Sequence, residues 1–101
     1  MNTGGFLEFI VLKMISDQEY SLKEISHALN GFGFKTPMGS LYPLLSKFRR
    51  NALVQRSYKE MDIGPAQRSY CLTEKGHQRL IELRSDWKRL NALIASLGSR
   101  H

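Results

Sequence analysis

Apolar side chains follow one another almost without a break from Phe6 to Ile15, interrupted only by Glu8 and Lys13. The run predicts a helix from Gly4 or Gly5 to Ser16. A surface helix shows a single apolar stripe, but this one is apolar nearly all round. It should be buried on two sides, with Phe6, Phe9 and Ile10 covered by a second subunit. Ser21-Leu22-Lys23-Glu24 then has the form of a capping box, in which the serine oxygen and the glutamate carboxylate each satisfy an orphan backbone N–H. A second helix is expected to start there, to present Leu22, Ile25, Ala28 and Leu29 on one face, and to end at Gly31 as its C′ residue.

A third helix is predicted with Thr36 as N-cap and Pro37 at the first helical position. Leu41, Leu44, Leu45, Phe48 and Ala52 recur at helical spacing and should face inward, leaving Ser40, Tyr42, Ser46, Lys47, Arg49 and Arg50 outward. Pro43 inside this pattern removes a hydrogen bond and clashes with the preceding turn, at about 3 kcal/mol. It implies a kink or a late helix start. The period then changes from helical to alternating. Leu53 to Lys59 and Ala66 to Leu72 read as two strands, with Val54, Arg56 and Tyr58 on one face of the first and Arg68, Tyr70 and Leu72 on one face of the second. Met61-Asp62-Ile63-Gly64-Pro65 supplies the turn between them. Tyr58 and Tyr70 are expected to pair across the strands rather than to stack on bases.

The last helix should run from Thr73, a good N-cap, to about Leu97. Leu80, Leu83, Trp87, Leu90, Ile94 and Leu97 are spaced alternately three and four apart, an a/d seam at the coiled-coil period. The seam lies either against the helix's own domain or, as preferred here, between two subunits. The fold class that emerges is mainly α with a small β-hairpin: a winged helix-turn-helix over residues 1–73, and a long C-terminal dimerisation helix over 74–101, within one compact domain of 101 residues.

Charge changes this picture from architecture to chemistry. Between Lys35 and Arg79 there are 9 Lys and Arg against 3 acids, a difference of +6 that equals the formal net charge of the whole chain. The remaining residues hold 6 of each sign and cancel. Cations confined to one supersecondary unit are the footprint of a polyanion binder, and in a helix-turn-helix the second helix of the pair enters the major groove. Lys35, Thr36, Ser40, Tyr42, Lys47, Arg50, Lys59 and Arg68 are the candidate contacts to DNA. Tyr42 either hydrogen-bonds there or packs in the core. His27, His77 and His101 are dispersed, no Cys/His spacing suits zinc, and Gly31-Phe32-Gly33 is too short for a phosphate cradle. No catalytic set, metal or cofactor is expected. Met1 to Gly5 lacks the basic n-region of a signal peptide, and the first apolar run is too short to span a bilayer. The single cysteine, Cys71, suits a reducing cytoplasm and reads as a small half-buried strand residue, with redox sensing as its other reading.

Two segments carry a family resemblance. Gly39-Ser40-Leu41-Tyr42-Pro43-Leu44-Leu45 resembles the Gly-Thr/Ser-Leu-Tyr-Pro-x-Leu motif of the PadR family of transcriptional regulators. Gly64 and Pro65 with Arg68, Tyr70, Leu72, Thr73 and Gly76 resemble its wing motif. The likeness extends from Gly5 to Leu97 and is to the short type with one C-terminal helix. It implies a homodimeric repressor on a palindromic operator, with partner contacts from the first and last helices, namely Phe6, Phe9, Ile10, Leu83, Trp87, Leu90, Ile94 and Leu97. It further implies that Trp87 lines a dimer pocket for a planar aromatic small molecule; otherwise Trp87 fills its own volume and leaves no cavity. The chain departs from the pattern at Glu19-Tyr20 before the second helix, at Gln67 and at Ser69. The alternatives are a winged-helix module for protein–protein assembly and a non-specific chromatin-type binder.

Overall fold

Val11, Leu12, Ile25, Leu41, Leu45 and Phe48 have no exposed surface at all, and the chain folds around them. The computed structural model describes residues 4–60 and 62–98. In chain order the elements are α1 (Gly4–Asp17), β1 (Tyr20–Ser21), α2 (Leu22–Gly31), α3 (Met38–Arg50), β2 (Val54–Lys59), β3 (Gln67–Leu72) and α4 (Glu74–Gly98). Three helices, a hairpin and a long closing helix make a winged helix-turn-helix with a C-terminal extension. Leu80 and Leu83 of α4 complete the core. Glu8 interrupts the apolar run of α1 for a structural reason: its buried carboxylate accepts from Arg79 Nε at 3.1 Å, tying α1 to α4. Burial lowers the Arg79 pKa, but the hydrogen bonds to Glu8 and then Glu82 outweigh it and hold the guanidinium above its ordinary value.

The capping box forms as expected. Ser21 Oγ accepts from Glu24 N at 3.1 Å, and Glu24 Oε1 accepts from Ser21 N at 2.9 Å. The ends of α2 and α3 differ from expectation in an instructive way. Both close in Schellman motifs, in which the C″ N–H bonds to the C3 carbonyl and the C′ N–H to the C2 carbonyl. In α2 these bonds are Phe34 N to Leu29 O at 2.9 Å and Gly33 N to Asn30 O at 3.0 Å. The left-handed residue is thus Gly33, at φ +88, and Gly31 is still helical. In α3 they are Leu53 N to Phe48 O at 2.8 Å and Ala52 N to Arg49 O at 3.0 Å. Ala52, expected on the inner face, instead lies past the helix end, exposed, with φ 59. A left-handed alanine carries a steric cost of about 1 kcal/mol that glycine avoids. Ala52→Gly should therefore raise the free energy of unfolding by about 1 kcal/mol in urea titration. A lower value would mean the terminal turn is not held in this conformation.

The start of α3 is shifted by one residue. Pro37 is the N-cap, without a side-chain cap bond, and Thr36 is buried just outside. Thr36 N donates to Asn30 Oδ1, its hydroxyl donates to Phe34 O, and its carbonyl accepts from Ser26 Oγ, so these groups brace the α2–α3 loop. Pro43 sits within a continuous 13-residue helix rather than marking a late start.

The sheet has three strands in the order β1-β3-β2, all antiparallel, one more than the sequence suggests. β1 is only two residues long, and it makes β3 the central strand. The register sets Tyr58 opposite Arg68 and Tyr70 opposite Arg56. The two tyrosines are diagonal neighbours, not the direct pair expected. Ser69, opposite Ser57 and Ser21, is fully buried. Its hydroxyl is 2.9 Å from that of Ser57 and donates to Glu19 Oε2 at 3.2 Å, fastening the sheet to the turn after α1. Cys71 is half-buried on β3. The Lys59 side chain and Met61, part of the turn, lie outside the described residues, as do Met1 and His101.

Candidate nucleic-acid interface

Leu41, Leu45 and Phe48 anchor α3 to the core, and that choice of face determines what the helix presents to solvent. At 3.6 residues per turn, the stripe opposite those three is Gly39, Pro43, Ser46 and Arg50. Ser40 and Lys47 flank it on one side, Tyr42 and Arg49 on the other. Gly39 is exposed, and a Cβ added there would meet nothing within 4 Å. Packing within the chain does not require glycine at 39. A bare backbone next to Pro43 leaves a smooth stripe that another molecule can approach closely. Lys47, Arg49 and Arg50 crowd the last turn, where they also complement the helix dipole. Tyr42 is 54% exposed, so it belongs to this surface and not to the core.

The hairpin extends the surface. A groove of about 420 Å³ runs between the starts of α2 and α3 and the hairpin, lined by Leu22, Lys23, Met38, Tyr58, Arg68 and Tyr70. Behind it, a hollow of about 580 Å³ is lined by Arg49, Ala52, Gln55, Arg56 and Tyr58. Arg68 is exposed on β3. Loss of hydration lowers its pKa, but a hydrogen bond with Tyr70 and the further tyrosines Tyr58 and Tyr42 hold it above its ordinary value. Arg68 lines the groove together with Tyr58 of β2 and Met38 of α3, so it stands where the hairpin faces the start of the helix. The turn at the hairpin tip has a different character: Glu60 and Asp62 precede Ile63, which is almost fully exposed. Cations are on the stem, acids at the tip.

Of the candidate contacts, Lys35, Ser40, Tyr42, Lys47, Arg50 and Arg68 are exposed on or beside this surface. Thr36 is not: it is buried beneath the α2–α3 loop with its hydroxyl spent on Phe34 O, because the helix starts one residue later than its sequence suggests. Lys59 ends β2, its side chain outside the described residues. Arg49 joins the surface from the outward face of α3, as its helical spacing predicts; Lys23 and Arg56 also belong to it and were missed. Only the tertiary placement of α2 and the strand register bring them there. The ion pairs of Lys13 with Asp17, of Arg79 with Glu8 and Glu82, and of Arg89 with Asp86 lie on α1 and α4.

The expected subunit seam divides in two. Leu83 is 5% exposed against its own chain, so most of its surface is already spent on the core. Trp87 and Leu90 are half-buried, and beyond them Leu93, Ile94 and Leu97 are exposed. Trp87 stacks on Phe9 with ring centroids 5.9 Å apart and 19° between planes, and meets Phe6 edge-on at 5.5 Å. Phe6 in turn touches Phe34 at 5.7 Å. Trp87 Nε1 is buried without an acceptor. No helix among the described residues is long and apolar enough to cross a membrane.

The model of the transcriptional regulator PadR-like family matches residues 11–82. Among solved structures, a PadR-like transcriptional regulator from Bacillus cereus strain ATCC 14579 is 31% identical, with a TM-score of 0.88 over 97% of this chain and 96% of that one. A Streptococcus transcriptional regulator is 28% identical, with a TM-score of 0.86 over 94% of each chain. Bacillus subtilis PadR in complex with operator DNA is 20% identical, with a TM-score of 0.67 over 76% of this chain and 45% of that one, a likeness of fold. No curated protein matches the sequence at a significant level.

Proposed function

The chain belongs to the PadR-like family of transcriptional regulators, and on that premise we propose that it is a homodimeric repressor that binds a palindromic operator. The observation that carries this reading is the continuous cationic surface of α3 and the hairpin stem, with Lys47, Arg49, Arg50, Arg56 and Arg68 exposed together. Bacillus subtilis PadR, which shares the fold, is bound to operator DNA. Docked in the same sense, α3 enters the major groove with its Gly39–Pro43 stripe foremost, and Lys47 and Arg50 reach the phosphates. Occupancy of the operator then excludes transcription by steric competition in the cytoplasm. Selection from a random duplex library tests the reading: a palindromic consensus supports it, and no enrichment over random sequence refutes it.

Phosphate contacts release counterions, so each one adds close to one unit to the salt dependence of binding. Lys47→Ala should weaken binding evenly across sequences and reduce the log–log salt slope by about one unit. An unchanged slope would remove Lys47 from the interface.

The second copy sits on the distal half of α4 and the outer face of α1, where Phe6, Phe9 and Ile10 keep exposed surface. A planar aromatic molecule joins this interface at Trp87. The indole N–H there is a buried donor without an acceptor, an arrangement that costs about 1–3 kcal/mol until something supplies one. The ring contacts give such a ligand a route to DNA: movement of Trp87 presses on Phe6, Phe6 on Phe34, and Phe34 lies in the loop that leads into α3. Trp87 is the only tryptophan, so its fluorescence reports the event. Planar aromatics should quench it saturably and release DNA. Trp87→Ala should bind DNA and lose the release.

A further inference from the structure

Ile63 is 91% exposed, more than any other large apolar side chain among the described residues. It stands at the hairpin tip, where Gly64 at φ +90 turns the chain and Pro65 follows. Exposed carboxylates precede it at Glu60 and Asp62. Covering an isoleucine is favourable wherever a matching hollow exists. DNA is a poor cover for this one, because the two carboxylates would face the negative charge of the phosphates. The tip suits a partner that is apolar within and cationic around.

The chain itself carries such a hollow. The groove of about 420 Å³ beside α2 and α3 has Leu22, Met38 and Tyr58 in its walls, with Lys23 and Arg68 among them. Both cations are exposed, and Met38 keeps 46% of its surface open. The tip does not fill its own groove, since Ile63 is bare. The ladder between β2 and β3 runs unbroken to Lys59 and Gln67, and Gln67 already lines the groove. The tip projects onward from there. Charge along the hairpin is thus ordered from end to end, positive on the stem and negative at the tip. When a second hairpin lies beside the first in the reverse direction, each acidic tip meets the other's cationic stem. A two-fold axis produces that arrangement and uses each match twice.

We propose that the protein self-associates hairpin to hairpin, with Ile63 of one copy seated in the groove of a second copy and the reverse, and with Glu60 and Asp62 against Lys23 and Arg68. The contact is small, of the transient class. It uses no residue of α1 or α4, so it adds to a dimer formed there. It covers part of the α3 and hairpin surface, so self-association and DNA compete. The competition rests on the DNA-binding reading above; the self-association does not.

The test is sedimentation velocity of the full chain without DNA, over a micromolar concentration series at low and high salt. At low salt a species heavier than the smallest one should grow with concentration. High salt should dissolve it, because exposed charges are screened. Ile63→Ser should raise its dissociation constant about tenfold or more. Asp62→Lys should abolish it by setting a cation against Lys23 and Arg68, and Lys23→Glu should abolish it from the other side. The mass of the smallest species should stay the same throughout. Asp62→Lys combined with Lys23→Glu should associate more strongly than either single variant, a rescue that only direct pairing of the two groups produces. Wild-type protein that forms no heavier species at any concentration overturns the proposal. So does a heavier species that survives both Ile63→Ser and Asp62→Lys, or one that the charge swap fails to bring back. Ile63→Ser that instead loses affinity for duplex DNA makes the tip a wedge into DNA and also overturns it. None of these outcomes bears on the operator reading, which the library selection decides.

Discussion

Gly76→Ala should cost at least about 3 kcal/mol of folding stability, at the top of the range for overpacked sites. At roughly 4–8 °C per kcal/mol for a chain of this size, melting should fall by at least about 12 °C. The sign is unusual. Gly76 lies in the first turn of α4, and glycine inside a helix normally gives way to alanine with a gain of up to about 1 kcal/mol. Here a Cβ would overlap the Leu53 carbonyl oxygen and press on Leu72 Cδ2 at 3.1 Å. That carbonyl has no freedom to retreat. It accepts from Thr73 N at 3.0 Å, and the preceding carbonyl, of Ala52, accepts from Thr73 Oγ1 at 2.6 Å. Thr73 Oγ1 also caps α4 by accepting from Gly76 N at 3.0 Å. Four residues thus lock the end of α3, the start of the hairpin and the start of α4 into one joint. Circular-dichroism melts of the two proteins decide the matter. Equal or higher stability of the alanine variant would mean that this joint is looser than it is drawn here.

This joint also marks where sequence reasoning succeeds and where it stops. Thr73 is legible as an N-cap because its role is local: the hydroxyl serves an N–H three residues on. The capping box at Ser21–Glu24 is legible for the same reason. The close approach behind Gly76 is not, because it depends on Leu53, far off in sequence. The Schellman ends show the same boundary. Phe32-Gly33 offers a left-handed glycine that competes with Gly31 two residues earlier, and Ala52 offers no signal at all, since alanine rarely takes that conformation. Two residues of β1 are too few to show alternation, so the third strand and the central place of β3 could not be foreseen. Departures at Glu19 and Ser69, read separately, look like two unrelated losses from the family pattern. In space they are one hydrogen-bonded contact.

The candidate interface was legible in kind more than in detail. Helical period alone places Ser40, Tyr42, Lys47 and Arg50 outward, and they are. Thr36 fails because a one-residue shift in the helix start turns a cap into a buried brace. Arg56 and Lys23 were missed because each joins the surface through packing between elements. The heptad in α4 is the clearest case of a pattern with two meanings. Leu80 and Leu83 obey it by filling their own core, and Ile94 and Leu97 obey it while remaining exposed among the described residues. Periodicity states that a face is apolar; it does not name the partner.

That division makes Ile94 the place to break the proposed dimer. Ile94→Glu should convert a dimer into a folded monomer, as read by sedimentation velocity at micromolar concentration. Ile94 and Leu97 are 57% and 55% exposed in the single chain, and Leu93 is similarly open. Covering such side chains contributes up to about 1.5–3 kcal/mol each, counted twice in a symmetric pair. A glutamate there would place two unpaired carboxylates in an apolar seam, at several kcal/mol per charge. Leu83 or Leu90 would be poorer choices, because they are buried or half-buried against their own chain and a charge there damages the fold. The helix content of Ile94→Glu should therefore survive while its mass halves. Operator binding should weaken far more than after Lys47→Ala, because a monomer holds one half-site and loses the linkage between two. A variant that remains dimeric would place the second copy elsewhere, and a monomer that binds the full operator as tightly as wild type would show that pairing of half-sites is not how this protein gains its affinity.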